Sequence, residues 1–313
     1  MTDYKHAITH YLLSLYYPYE NKVAEPFLKY FLTHFDGIAC VFMYGSMINP
    51  QLSTPTSFPD FYIIVDSYKT FYKSNVHTLL NKMLPPNSYF LRLDQGGQGM
   101  PSKYCVLDKQ ALFNTTHYPA IKDLFVAGRL AKRIGILYVK EQAFLSEFID
   151  NVYNAMQFNV MFALSEIKTP FTLEEFIIHL LGLSYRAEVR TETQEKVISL
   201  YKSEEAFYKK VYELFLQQEI SKGTIKLVNN KYLTLQPYFE DNYLKNFIKH
   251  SRKRAVYRWP KSIYTFSDYV GYLELKIERT TGEKLVLSKW DRRFPLIFGW
   301  RHLFRLLKKK AIR

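Results

Sequence analysis

Cysteine is nearly absent from this chain. Two occur in 313 residues, Cys40 and Cys105. Both lie in apolar runs, with neither a C-x-x-C spacing nor a histidine cluster nearby. A disulfide framework is thereby excluded, a zinc site is not expected, and two reduced buried thiols are. Long hydrophobic runs are also missing: none reaches the roughly 18 residues a membrane-crossing helix needs. The start, Met-Thr-Asp-Tyr-Lys-His, lacks the pattern of a secretory signal. Acidic residues run out toward the end, with none after Asp291.

What is present is apolar and aromatic. The chain is 48% hydrophobic and carries 26 Tyr and 24 Phe, enough for a sizeable core and too apolar for a disordered chain. Its formal charge is +14, and residues 251–313 account for most of it, with 17 Lys/Arg against 5 Asp/Glu. A basic C-terminal quarter calls for a polyanionic partner, either nucleic acid or an anionic membrane surface.

The pattern along the chain predicts helices over 4–35 broken near Pro18, a strand over 38–45, a proline-containing loop over 47–59 and a strand over 60–66. A helix over 69–83 follows, ended by Pro85-Pro86. Strands are expected near 88–93, 103–107 and 134–139, and helices over 109–114 and 119–126. The loop 94–99 has three glycines in four residues and suits a mobile lid. From 141 the period turns helical. Thr172-Leu173-Glu174-Glu175 is a capping box that starts a helix near 173, and one long helix fits 191–219. Two strands around Asn229-Asn230 form a hairpin signal. The fold expected is α+β: a catalytic domain with a mixed sheet (1–140), a mainly helical, winged-helix-like domain (141–240) and a basic C-terminal region (241–313). No helix in the second domain carries the Arg, Lys, Asn or Gln run suited to a DNA groove, so it reads as a scaffold.

The chemistry concentrates at 41–66. An apolar strand ends in Tyr44-Gly45-Ser46, and fourteen residues after Ser46 a second apolar strand opens with Asp60. Gly45 lets the backbone approach a triphosphate because it has no Cβ. Ser46 offers a hydroxyl and an N–H to phosphate oxygens. Asp60 can hold a Mg²⁺ that bridges those oxygens, so a nucleotidyltransferase-fold domain is expected over 1–140. A second carboxylate two residues on would share the metal, but Tyr62 stands there, and Asp66 is roughly 20 Å further along the strand. Asp94, Asp108 and Glu188 remain as candidates for the second ligand. Lys103 is the candidate cation for the triphosphate. Arg129 and Lys132 follow a glycine turn and suit phosphate. Tyr185 and Arg190 are candidates for a substrate phosphate or for the domain interface.

From Leu296 a helical wheel puts Leu296, Ile297, Trp300, Leu303, Phe304, Leu306 and Leu307 on one side. Arg301, His302, Arg305, Lys308 and Lys309 fall on the other. An aromatic-rich face opposite a basic face is what a helix in a lipid headgroup layer needs. An amphipathic helix over 295–310 is therefore expected to touch an anionic membrane through Trp300, Arg301, Phe304, Arg305, Lys308 and Lys309. Nucleic acid is not the expected partner, since its contacts need no continuous Leu, Trp and Phe face.

Four blocks in order carry a resemblance. They are Tyr44-Gly45-Ser46 with Asp60-Phe61, Ser102-Lys103-Tyr104 with Val106, Ala127-Gly128-Arg129-Leu130 with Lys132, and Gly182-Leu183-Ser184-Tyr185 with Arg190. The chain resembles the mitochondrial-type phosphatidate cytidylyltransferases, the translocator assembly and maintenance family of CDP-diacylglycerol synthases. Its departures from the family pattern, Cys105 for a glycine and Ala187-Glu188 for Gly-Asp among them, suit a distant bacterial member. The resemblance implies transfer of CMP from CTP to phosphatidate with Mg²⁺, giving CDP-diacylglycerol and pyrophosphate in phospholipid biosynthesis. The reduced thiols and the basic amphipathic end give the expected place: cytoplasmic, peripheral on the inner face of the cell membrane. The alternatives are nucleotidyl transfer to another acceptor, a nucleic acid or small molecule, and an inactive membrane-bound scaffold.

Overall fold

The computed structural model describes residues 3–54, 57–95, 98–188, 194–265 and 274. Two helices come first, α1 (Tyr4–Tyr16) and α2 (Glu25–His34), interrupted around Pro18 as expected. Then follow β1 (Ile38–Tyr44), buried at every position, and β2 (Asp60–Val65). Unbroken burial suits strands covered on both faces, which explains their continuous apolar runs.

The single helix expected over 69–83 is two helices, α3 (Tyr68–Tyr72) and α4 (Asn75–Met83). Lys73 takes a left-handed conformation, with φ of 51°, and Ser74 caps the restart by accepting from the His77 N–H. Strands β3 (Asn87–Gln95) and β4 (Gln98–Asp108) pair antiparallel out to Gln95↔Gln98. Four residues of the glycine loop expected as a lid, 94, 95, 98 and 99, are thus paired strand residues. Its residues 96 and 97 lie outside the described residues.

Helix α5 (Lys109–Thr116) is capped by Asp108, which accepts from the Ala111 N–H at 2.7 Å. The helix expected over 119–126 does not form. Two of its amides go to side chains instead: Phe125 N–H donates to Asp123, and Leu124 N–H donates to Ser251. A short helix α6 (Ala127–Leu130) leads to β5 (Gly135–Val139). The sheet order is β3-β4-β2-β1-β5, with β2 and β4 parallel and the other neighbours antiparallel. The mixed sheet with helices matches the α+β expectation.

Helix α7 (Gln142–Glu166) lies against the sheet, where Phe148 meets Phe42 at 5.1 Å between ring centres. The capping box forms as expected at the start of α8 (Leu173–Arg186). The single helix expected over 191–219 is divided into α9 (Gln194–Ser203) and α10 (Glu205–Ser221). Glu204, at the break, has non-helical dihedrals and is held by Arg133 at 2.9 Å. Strands β6 (Ile225–Val228) and β7 (Lys231–Thr234) turn through Asn229 and Asn230, both at positive φ as a two-residue hairpin turn demands. One further helix, α11 (Asp241–Thr265), was not foreseen as a unit. It returns to pack on β3 and α7. No helix among the described residues is long and apolar enough to cross a membrane. The expected helix over 295–310, with Trp300, Arg301, Phe304, Arg305, Lys308 and Lys309, lies outside the described residues, as does Arg190.

Candidate active site

Strand register builds the site. Tyr44 of β1 pairs with Asp60 of β2, and Asp60 pairs with Lys103 of β4. Laterally paired residues point to the same face of a sheet. Tyr44, Asp60 and Lys103 therefore form one row, with Phe42, Tyr62 and Cys105 as the next row inward. Lys103 Nζ lies 3.7 Å from Asp60 Oδ1, and both side chains keep about a quarter of their surface open, at 20% and 27%. This is a loose, partly exposed pair.

Gly45 ends β1 with φ of 85°, a conformation that favours glycine. A Cβ there would sit 3.2 Å from Asp60 Oδ2. The missing side chain keeps the space beside the carboxylate clear. Ser46 Oγ donates to Ser57 Oγ at 3.5 Å.

Behind the row the site is dry and aromatic. Tyr62 stacks on Phe42 and meets Tyr44, each at 5.1 Å. Burial pushes the Tyr44 and Tyr62 phenols well above the ordinary tyrosine value, and neighbouring Cys105 pushes the same way. Both stay neutral, and neither hydroxyl has a hydrogen-bond partner among the described residues. Tyr62 is a packing residue of the site floor and offers no metal a carboxylate.

The third and fourth sequence blocks meet each other. Gly128 of α6 lies so close to α8 that an added Cβ would be 2.5 Å from the Ser184 Cβ. Lys132 Nζ donates to Ser184 Oγ at 3.0 Å and sits 4.1 Å from the centre of the Tyr185 ring. Arg129, the other candidate for phosphate, lies in the same region. Its guanidinium is buried and spent on Glu188, with Nη1 to Oε1 at 2.7 Å and Nη2 to Oε2 at 3.2 Å. It also donates to the Phe125 carbonyl, lies 3.8 Å from the Phe125 ring centre and faces the Tyr44 ring at 5.9 Å. Burial works against its charge, but Glu188 together with Tyr62 and Tyr44 outweighs this and leaves the arginine pKa above its ordinary value.

The carboxylates considered as a second metal ligand do not join Asp60. Glu188 is taken by Arg129. Asp108 pairs with Val65 at the far end of β2 and caps α5. Asp94 lies on β3 four residues past Phe90, the partner of Lys103, which is roughly 13 Å along the strand. Asp66 is held by Lys109 and Lys140 at 2.7 and 3.3 Å. Among the described residues no group of three or more His, Cys, Asp or Glu could hold a metal.

Sequence reasoning missed the cations that α11 brings to this side of the sheet. Arg254 and Arg258 converge on buried Asp123, Arg258 at 2.9 Å. Burial alone would raise the Asp123 pKa, but the two arginines outweigh it and hold the carboxyl below the usual range. Arg258 also lies 4.4 Å from the centre of the Phe125 ring that Arg129 faces. Lys261 donates to the Leu84 and Pro86 carbonyls, and burial, with Arg258 nearby, pushes its pKa down to about 7. The signal was present: 254, 258 and 261 recur at helical spacing, which puts three cations on the face that also carries buried Ser251 and Ala255.

The sequence model of the family described as "Phosphatidate cytidylyltransferase, mitochondrial" matches residues 87–283. That span includes Lys103, Arg129, Lys132, Tyr185 and all of α11, and begins after Asp60. The human protein "Phosphatidate cytidylyltransferase, mitochondrial" is 26% identical over 212 residues, covering 60% of this chain and 46% of the human protein. The chain thus matches less than half the length of that relative. Among solved structures, a nucleotidyltransferase-like protein from Exiguobacterium sibiricum aligns over 93% of this chain and 92% of its own, at 10% identity and a TM-score of 0.27, too loose a superposition to argue from. The family match extends over more than half of the residues and takes in the α6–α8 contact and the basic helix described above, so the chain belongs to the mitochondrial-type phosphatidate cytidylyltransferase family.

Proposed function

We propose that this protein transfers CMP from CTP to phosphatidate, giving CDP-diacylglycerol and pyrophosphate. The observation that carries the reading is the row of Tyr44, Asp60 and Lys103 with Gly45 beside the Asp60 carboxylate, in a chain of this family. A phosphatidate phosphate oxygen attacks the α-phosphorus of CTP. The new P–O bond forms as the bond to the β-phosphate bridging oxygen breaks, and the electron pair leaves with pyrophosphate. A phosphate monoester is a competent nucleophile near neutral pH, so the protein's task is to position two polyanions and neutralise their charge.

Each residue has a role in this reading. Gly45 admits the triphosphate to the backbone. Lys103 balances charge on the phosphates, and leaves Asp60 to do so. Asp60 is the residue that would hold Mg²⁺. The donor set fits that ion, which commonly takes one or two protein carboxylates and fills its remaining positions with phosphate oxygens and water. When bound, Mg²⁺ would neutralise charge on the departing pyrophosphate. Tyr44 and Tyr62 exclude water from the floor. The Arg129–Glu188 pair and the Lys132–Ser184 bond hold α6 against α8, which positions Tyr185 without asking Arg129 to touch substrate.

The basic end of the chain, 295–310 included, supports a peripheral place on an anionic membrane, on the inner face of the cell membrane. The test is direct. Purified protein is incubated with labelled CTP, Mg²⁺ and phosphatidate in mixed micelles, with a chelator control, and lipid is extracted. Label in the organic phase as CDP-diacylglycerol, lost with chelator, is the expected result. Label that stays in water refutes phosphatidate as the acceptor.

A further inference from the structure

A groove of about 900 Å³ runs between the end of α7, α8 and α11. None of its lining residues belongs to the row around Asp60. Its acids are already engaged. Glu166 is bound by Arg186 and by His179 at 2.8 Å, and Asp241 by Lys168 at 2.9 Å. The cations outnumber them. Lys245, Lys249 and Lys253 recur every four residues along the exposed side of α11, and Arg252 beside them gives its Nε–H to the Arg186 carbonyl at 2.7 Å. Like charges at this spacing destabilise a helix. None of the ion pairs among the described residues neutralises Lys249, Arg252 or Lys253.

The same groove is partly apolar. Leu244 and Ile248 lie in its floor. On the rim Val256 is 51% exposed and Tyr257 65%, and Tyr264 continues the exposed apolar line at 66%. Lysines with long apolar stems, an exposed aliphatic residue and exposed tyrosines together suit the boundary between headgroups and acyl chains. A phosphodiester backbone would use the cations but gains nothing from Leu244, Ile248 and Val256.

We propose that this groove seats the protein on an anionic phospholipid bilayer, with Lys249, Arg252 and Lys253 against lipid phosphates and Val256 and Tyr257 among the headgroups. The inference rests on the proposed reaction only in that a lipid substrate is met at a bilayer. It is independent of residues 295–310. Basic residues near an anionic surface each add to membrane affinity, and the effect falls off within a Debye length.

The test uses the full chain and sedimentation with phosphatidylcholine vesicles, with and without phosphatidylglycerol, an anionic lipid that is not the substrate. Wild type is expected to bind only the anionic vesicles. K249E/R252E/K253E should lower partitioning on the order of 100-fold. V256S/Y257S should lower it several-fold, and K22E/K69E/K210E, the same charge change elsewhere on the surface, should have little effect. Equal losses in the two charge-reversed proteins would overturn the proposal, as would wild-type binding by the groove variant or no binding by wild type. Loss of duplex RNA binding in the groove variant with vesicle binding intact would also overturn it. Turnover on detergent-dispersed phosphatidate is measured in parallel and should survive the groove changes. If wild type itself shows no turnover there, the proposed reaction fails while the vesicle result still stands.

Discussion

Replacing Glu188 by leucine should show what Arg129 is for. The two side chains are only 7% and 8% exposed and meet through two hydrogen bonds across 59 residues of sequence. Removing one partner leaves the other charge buried, which typically costs about 3–5 kcal/mol. At roughly 2–4 °C of melting temperature per kcal/mol for a folded unit of this size class, Glu188→Leu should melt about 6–20 °C lower than wild type. Arg129→Met should cost a similar amount. Combining the two replaces a buried pair with apolar volume, which is often neutral or stabilising. The double variant should therefore recover most of the loss. Urea titrations of the four proteins give the coupling energy, and labelled-CTP turnover is measured beside them. The clamp reading requires turnover to fall together in both single variants, because both release α6 from α8. A stable Glu188→Leu protein with full turnover, beside an inactive Arg129→Met protein, would refute it and return Arg129 to the substrate.

Other outcomes follow from the same geometry. Asp60→Asn should lower turnover on the order of 10³-fold while leaving the melting temperature nearly unchanged, since the residue is partly exposed; full activity would end its assigned role. Gly128→Ala should cost about 1–3 kcal/mol by overpacking, because its Cβ would fall 2.5 Å from Ser184, and adding Ser184→Gly should restore urea stability. Lys261 carries a pH signature. Its folded pKa of about 7 lies below the ordinary 10.5, so between these values the unfolded chain holds a proton that the folded chain has released. Stability should then rise with pH across that window, with the full cost present below it. Lys261→Met should flatten that slope in urea titrations at about pH 6 and about pH 9; an unchanged slope would show that Lys261 is not its source.

The legible features were those that neighbours in sequence decide. Thr172 and Glu175 close a capping box because they are three residues apart. Asn229 and Asn230 turn a hairpin because both tolerate positive φ. Gly45 and Asp60 announced two strands because one run ends and the other begins with residues a buried strand does not need. The misses were decided elsewhere. Residues 119–126 have helical composition, but Asp123 is drawn to Arg254 and Arg258 more than 130 residues away, and Ser251 takes the Leu124 amide. Residues 191–219 look like one helix until Arg133 meets Glu204. Arg129 follows a glycine, as a phosphate-binding residue could, and only the arrival of α8 shows that Glu188 claims it.

By itself, then, the sequence determined the strands, the caps, the turns and a basic end, because steric limits and hydrophobic period act over a few residues. Tertiary structure alone decided that β2 and β4 run parallel and bring Lys103 beside Asp60. It alone decided that two motif blocks close on each other at Gly128 and Ser184, and that α11 returns its cations to the sheet. Those pairings join residues far apart in the chain. Their free energy comes from burial and charge neutralisation that exist only once the whole core has formed, and no local pattern carries that information.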